Sequence, residues 1–284
     1  MRFLRELLRT PACAPCGTCA LFRLEGNFEK GFYAEVSLRI AARTNFSVLE
    51  ECEDWLIVDK PAPLIMHPTG KSDEVTLLGV LKEAIPGVEF FFVNRLDRET
   101  SGCVLVAKSS SVARKLGKMM GRREIKKSYQ AIVSGWPDWK EVCVTEPIRR
   151  KGEFEESEIW VKQAVHPEGK ASETGFRLEG IFKNGGDRFA MIGCEPRTGR
   201  THQIRVHLEY LGYPIVGDKI YSDQGRAYLD FLEKGWTAEL FERMRLDRQA
   251  LHAKGVIFGW KGKVIEAQSL LPNELESFCI ARMG

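Results

Sequence analysis

Asn94-Arg95-Leu96-Asp97-Arg98-Glu99-Thr100-Ser101-Gly102-Cys103-Val104-Leu105-Val106-Ala107 sets a run of charged and hydroxyl side chains against an uninterrupted apolar stretch. Cys103–Ala107 is too short and too β-branched for a helix, which predicts a fully buried strand with a polar loop at its entry. Upstream, residues 46–51 and 54–60 read as two strands meeting at a turn, stopped by Pro61 and Pro63. Residues 76–85 carry helical periodicity and end at Pro86-Gly87. Downstream, Ser109–Ser111 cap a basic helix that runs to about Gly121, and residues 127–135 alternate as a strand. Strands on either side of Asn184-Gly185-Gly186-Asp187 form a hairpin. Residues 201–212 read as a helix, 224–248 as a charged helical region broken at Gly235, 250–268 as a second hairpin, and 271–283 as a terminal helix. Antiparallel pairs with helices inserted between them predict an α+β domain and not a doubly wound sheet.

The chain has 284 residues, enough for one large domain or a compact domain with a small appendage. Regular patterning starts near Phe46, so residues 1–45, interrupted by Pro11, Pro15 and Gly17, are expected to form an atypical N-terminal segment before a domain over 46–284. No apolar run approaches the roughly 18 to 20 residues of a membrane span. Eight cysteines, mostly among apolar neighbours, do not suit a disulfide scaffold at this length and point to a reducing, cytoplasmic setting. Cys13, Cys16 and Cys19 are spaced as metal ligands but lack a nearby fourth, so the expectation is a thiol-bearing segment and no metal. The net charge is only +3, yet Lys108–Lys127 holds eight cations against Glu124 alone. Such separation can attract a polyanion, although the segment taken alone reads first as a solvated basic helix face.

A second polar string, Arg197-Thr198-Gly199-Arg200-Thr201-His202-Gln203-Ile204-Arg205-Val206-His207, opens the helix at 201–212. Gln203 and His207 are four apart and share a helix face, while Arg205 points elsewhere. Together the two strings resemble the RluA-type pseudouridine synthases. Residues 94–102 (NRLDRETSG) resemble that family's HRLDxxTSG, and Thr198–His207 resembles its TGR[ST]HQ[IL]RVH without a gap. Lys60-Pro61 with Met66-His67-Pro68, Lys127-Ser128-Tyr129, Pro214–Tyr221 and Leu251-His252-Ala253 follow in the family's order.

The resemblance implies a mixed, mostly antiparallel central sheet flanked by helices, and conversion of uridine to pseudouridine in structured ribosomal or transfer RNA. That reaction breaks the C1′–N1 bond, turns the base and rejoins it through C5. It needs a carboxylate but neither redox nor phosphate-transfer chemistry, and no cofactor. By resemblance Asp97 is that carboxylate, Arg205 its counter-ion and Tyr129 the group stacked on the base. Arg95 enters the RNA where the uridine leaves, since the base must be extruded to be reached. Arg197, Arg200, Lys60 and Asn94 are expected around the substrate, with the basic helix on phosphates. The expected partner is RNA, with no membrane and no obligatory protein partner, and the chain acting as a monomer. Two features depart from the family: Asn94 replaces a histidine, and residues 1–45 lack the helices of a small S4 RNA-binding domain. Asn94 allows an alternative, a catalytically impaired relative kept for RNA folding. A hydrolytic N-glycosidase using the same carboxylate is a further rival, distinguished by release of free uracil.

Overall fold

A computed structural model describes residues 46–68, 74–184 and 186–280. The expectations for residues 1–45, including Cys13, Cys16 and Cys19, lie outside the described residues. Along the chain the strands are β1 (Ser47–Glu51), β2 (Trp55–Lys60), β3 (Phe91–Phe92), β4 (Ser101–Ala107), β5 (Lys126–Ser134), β6 (Glu141–Val144), β7 (Ile148–Arg150), β8 (Gln163–Val165), β9 (Thr174–Asn184), β10 (Asp187–Pro196), β11 (Leu251–Trp260) and β12 (Lys263–Gln268). The helices are α1 (Leu77–Ala84), α2 (Ser110–Gly121), α3 (Gln203–Tyr210), α4 (Arg226–Lys234), α5 (Ala238–Met244) and α6 (Asn273–Ile280).

One large sheet runs β1-β2-β4-β11-β5-β10-β9-β6, with β12 added to β11 and β3 to β4. Every pairing in it is antiparallel except β4 with β11, where His252 faces Ser101 and Ala253 faces Gly102. The expected mixed, mostly antiparallel α+β architecture is therefore present. β7 and β8 pair apart from this sheet as a hairpin.

Strand periodicity explains why the sheet is covered on both faces. Leu56, Val58, Val104 and Val106 point into one core, with Leu77 and Leu81 of α1, Ile204 and Leu208 of α3, and Leu275 of α6. Their neighbours Trp55, Ile57, Cys103 and Leu105 point into the other, under Leu116 of α2. All seven residues of β4 are buried in consequence. Burying an aliphatic side chain of this kind contributes about 1.5–3 kcal/mol, so the two apolar faces hold β4 at the centre. Helix ends follow local chemistry: the Thr76 hydroxyl accepts from Gly79 N at α1, and the Ser109 hydroxyl accepts from Val112 N at α2.

Gly102 marks where the polar loop enters β4. Its φ is +108°, and a Cβ there would lie 2.2 Å from the Ala253 carbonyl oxygen. Only glycine lets the two parallel strands approach so closely.

Candidate active site

Asp97 sits in the loop between β3 and β4, and that loop is tied down on every side. The Thr100 amide donates to the Asp97 carbonyl at 3.1 Å, closing a tight turn. Gln249, just before β11, donates from its side-chain amide to the Thr100 hydroxyl at 2.7 Å and, at 3.4 Å, to Asp97 Oδ2. Arg248 is buried and donates to the Glu99 carbonyl at 3.0 Å, to Ser101 Oγ at 3.3 Å and to Glu274 at 2.9 Å. Lys219 pairs with Glu99 at 2.7 Å and lies over the Trp236 ring. The hydroxyls of Thr100 and Ser101 thus shape the loop, while Asp97 is left to act.

The carboxylate is gripped from α3. Arg205 donates through Nη1 to Asp97 Oδ2 at 2.8 Å, and through Nε and Nη2 to the two oxygens of Asp218 at 2.7 and 2.8 Å. Asp218 is fully buried and also accepts from the amides of Ile220 and Tyr221. Such a bidentate pair fixes the guanidinium plane, and with it the line along which Asp97 is held. Burial on its own would raise the Asp97 pKa, but the opposing groups, Arg205 first and with Gln249 adding a hydrogen bond, together outweigh it, and the carboxyl lies below its ordinary 3.8. Burial also works against the Arg205 charge, and Asp218 and Asp97 together more than restore it, raising its pKa. The Asp97 side chain keeps 33% of its surface, and its Oδ1 takes no hydrogen bond from the described residues. An ionised, oriented oxygen open to solvent suits attack or proton abstraction at a bound sugar.

Tyr129 on β5 is 8% exposed. Burial, and then the charge of Asp97, push its phenol pKa up, so it stays protonated at neutral pH. Tyr129 is thus near enough to Asp97 to feel its charge. His202 also lies close to the carboxylate, with Nε2 3.9 Å from Asp97 Oδ2. Gln203 and His207 do share a helix face, and both turn away from the carboxylate. Gln203 binds Thr174, Thr198 and the Arg200 amide, while His207 meets Thr174, Ser172 and the Glu146 carbonyl.

Among the expected substrate-binding residues, Arg95 is exposed and makes no hydrogen bond or ion pair with the described residues, two positions from Asp97. Arg197 pairs with Glu173, and Arg200 donates to the Ala171 carbonyl at 2.9 Å. Arg200 also lines a groove of about 440 Å³ with Arg149, Arg150 and Lys170, between the β7–β8 hairpin and Gly199-Arg200-Thr201. Two expectations change. Lys60 is fully buried, and its Nζ donates to the carbonyls of Pro61, Leu64 and Arg98, so it faces protein and not a substrate; burial, with the charge of Arg248, holds its pKa down at about 7. It anchors the Asp97 loop through Arg98 instead. Asn94 also faces protein: its Oδ1 accepts from Leu105 N at 2.8 Å and its Nδ2 donates to Cys103 O at 3.2 Å. The side chain continues the ladder of β3 along β4 where the backbone leaves it.

Sequence reasoning assigns no role to Asp218, Gln249, Arg248 or His202. Asp218 does fall inside the Pro214–Tyr221 signature, paired there with Lys219 ahead of the apolar Ile220-Tyr221; Gln249 leaves no trace.

Comparison with known proteins agrees with this geometry. The family described as RNA pseudouridylate synthase matches residues 54–210. The chain is 31% identical over 242 residues to the ribosomal large subunit pseudouridine synthase D of Vibrio cholerae, covering 83% of this chain and 70% of that protein. It is 38% identical over 176 residues to pseudouridylate synthase RPUSD2 of Mus musculus, covering 62% of this chain. The match spans only 30% of the mouse protein's length. The solved structure of human RNA pseudouridylate synthase domain containing 4 shares the fold, with a TM-score of 0.65 at 20% identity over 88% of this chain and 98% of that one. A family match over more than half of the chain, and a bacterial relative above 30% identity across most of its length, show that this chain belongs to the RNA pseudouridylate synthases.

Proposed function

We propose that this chain isomerises uridine to pseudouridine in structured RNA, with Asp97 as the catalytic carboxylate, Tyr129 against the base and Arg205 holding Asp97 ionised. The observation that carries the reading is the Asp97–Arg205–Asp218 array, which leaves Oδ1 free beside a protonated Tyr129. A detached uracil must be retained while it turns, and Tyr129 supplies an aromatic face for it. Arg95, exposed beside the loop, fits the place of the extruded base. Ribosomal RNA is the favoured substrate, since relatives in Vibrio cholerae and Escherichia coli are named for the large ribosomal subunit. The reaction runs on side chains alone, in a monomer, within a reducing cytoplasm.

The direct test is Asp97→Asn, assayed by tritium release from 5-tritiated uridine in RNA from cells lacking the gene. The amide keeps the shape but is neither nucleophilic nor basic, so release should fall by more than about 10²-fold with RNA affinity retained. Turnover above about one percent of the natural rate sinks the assignment of Asp97.

A further inference from the structure

Three groups beside Asp97 form a chain in which each proton has one place to go. The Gln163 backbone amide donates to the Tyr221 hydroxyl oxygen at 2.9 Å. That oxygen lies 2.9 Å from His202 Nδ1. Tyr221 is 2% exposed, so its own proton needs an acceptor, and among the described residues His202 Nδ1 is the one within reach. An Nδ1 that accepts leaves the imidazole proton on Nε2. Nε2 faces Asp97 Oδ2 at 3.9 Å, too far for a direct hydrogen bond and close enough for one oxygen to bridge them. The backbone of His202 is left-handed, with φ 55°, an uncommon conformation for any residue but glycine. Burial and then Arg205 hold the imidazole pKa down at about 4, against the opposing pull of Asp97 and Asp218, so the ring is neutral when the enzyme works.

We propose that His202 is a specificity-determining catalytic residue whose Nε2–H donates to the 2′-hydroxyl of the target ribose, which in turn donates to the Asp97 carboxylate. The bridging group must accept from one side and donate to the other. Uracil carbonyls only accept, whereas a hydroxyl does both. The 2′-hydroxyl also neighbours C1′, the carbon on which Asp97 acts. Tyr221 is then a positioning residue that sets the tautomer, and the pair provides a means of telling RNA from DNA at the reacting nucleotide. The inference rests on Asp97 being the catalytic carboxylate.

The test uses His202→Ala, His202→Gln and Tyr221→Phe in the full chain. Alanine and glutamine carry a similar left-handed backbone cost, and glutamine restores a donor near Nε2, so their difference isolates the hydrogen bond. The probe is an RNA hairpin around the uridine found to be modified, made with uridine or 2′-deoxyuridine at that position. Loss of the 2′-hydroxyl should weaken binding to the natural protein and to His202→Gln by about tenfold more than to His202→Ala, the worth of the one hydrogen bond from residue 202, since the alanine variant still loses the bond to Asp97. Nitrogen-15 spectra of labelled histidine should show an acceptor-type Nδ1 and a protonated Nε2 that vanish in His202→Gln and lose this preference in Tyr221→Phe. An equal deoxy penalty in the natural protein and His202→Ala, or a His202 proton on Nδ1, overturns the proposal. Turnover retained by Asp97→Asn would instead defeat the assignment of Asp97, and the binding comparison separates the two failures.

Discussion

Arg205 is asked to balance two carboxylates at once, and this decides how the site responds to pH. Asp97 has a folded pKa below its ordinary 3.8, so its contribution to stability is complete above that value and is lost as pH falls through the folded pKa. Activity that needs ionised Asp97 should therefore stay flat down to about pH 5, with no histidine limb near 6 or 7 because His202 titrates at about 4. Removing the guanidinium reverses the sign. In Arg205→Met the desolvation of Asp97 is unopposed by its main partner, its pKa rises, and the acid limb of kcat/KM moves up into the range between about pH 5 and 7. Fully buried Asp218 also loses its bidentate partner, so the variant should be destabilised by about 3–5 kcal/mol at neutral pH and partly recover on acidification. Pairing it with Asp218→Leu should return part of that loss, because an apolar side chain removes the unpaired buried charge. A pH–rate profile and urea melts of the three proteins check this; an unmoved acid limb in Arg205→Met would show that Arg205 does not set the Asp97 charge.

The Asp97 loop is only as well placed as the strands that enclose it. β2 ends in Lys60, whose hydrogen bonds to carbonyls reach the loop at Arg98, and β3 leads into Asn94, whose carboxamide bonds β4 on both sides of Val104. This accounts for the asparagine that stands where the family has histidine. A neutral imidazole likewise offers one donor and one acceptor, so either residue can serve this junction and neither need exchange a proton with the substrate. Asn94→His should accordingly change tritium release by less than about tenfold, equivalent to roughly 1.4 kcal/mol in the barrier. A natural protein that releases no label while Asn94→His releases it readily would favour the RNA-folding alternative. Strands and helices at this scale are legible from periodicity, apolar runs and caps, since β5, β9 and β10 follow the alternation of their residues, β2 and β4 follow their continuous apolar runs, and α2 starts at the serine that caps it. The partners of the loop are not. Arg248 and Gln249 meet Glu99 and Thr100 only because β11 lies parallel to β4, a pairing between distant parts of the chain that no local pattern announces.

Over the whole molecule, the basic segment, whose composition suits either a phosphate rail or a solvated face, can be placed relative to the site. Lys118, Arg122 and Lys126 are exposed at the end of α2 and the start of β5. Arg123 and Arg197 meet at Glu173, beside the turn that leads through Gly199 and Arg200 to His202. Lys126 lies three residues, about 10 Å of extended strand, from Tyr129, so a phosphate rail here would engage RNA that flanks the target uridine. Cations placed in this way add affinity without reading sequence, and their effect weakens as salt rises because counterions are released on binding. Replacing Lys118, Arg122 and Lys126 together with glutamine should therefore weaken RNA binding at low salt and make the slope of log K against log salt shallower, by about 0.7 to 0.9 for each phosphate no longer neutralised. Turnover at saturating RNA should stay within about twofold, because binding that is equal in ground and transition states changes KM and not kcat. The outcome separates the two readings of the segment: a solvated face leaves both affinity and slope unchanged, whereas a phosphate rail changes them together and leaves the chemistry at Asp97 as it was.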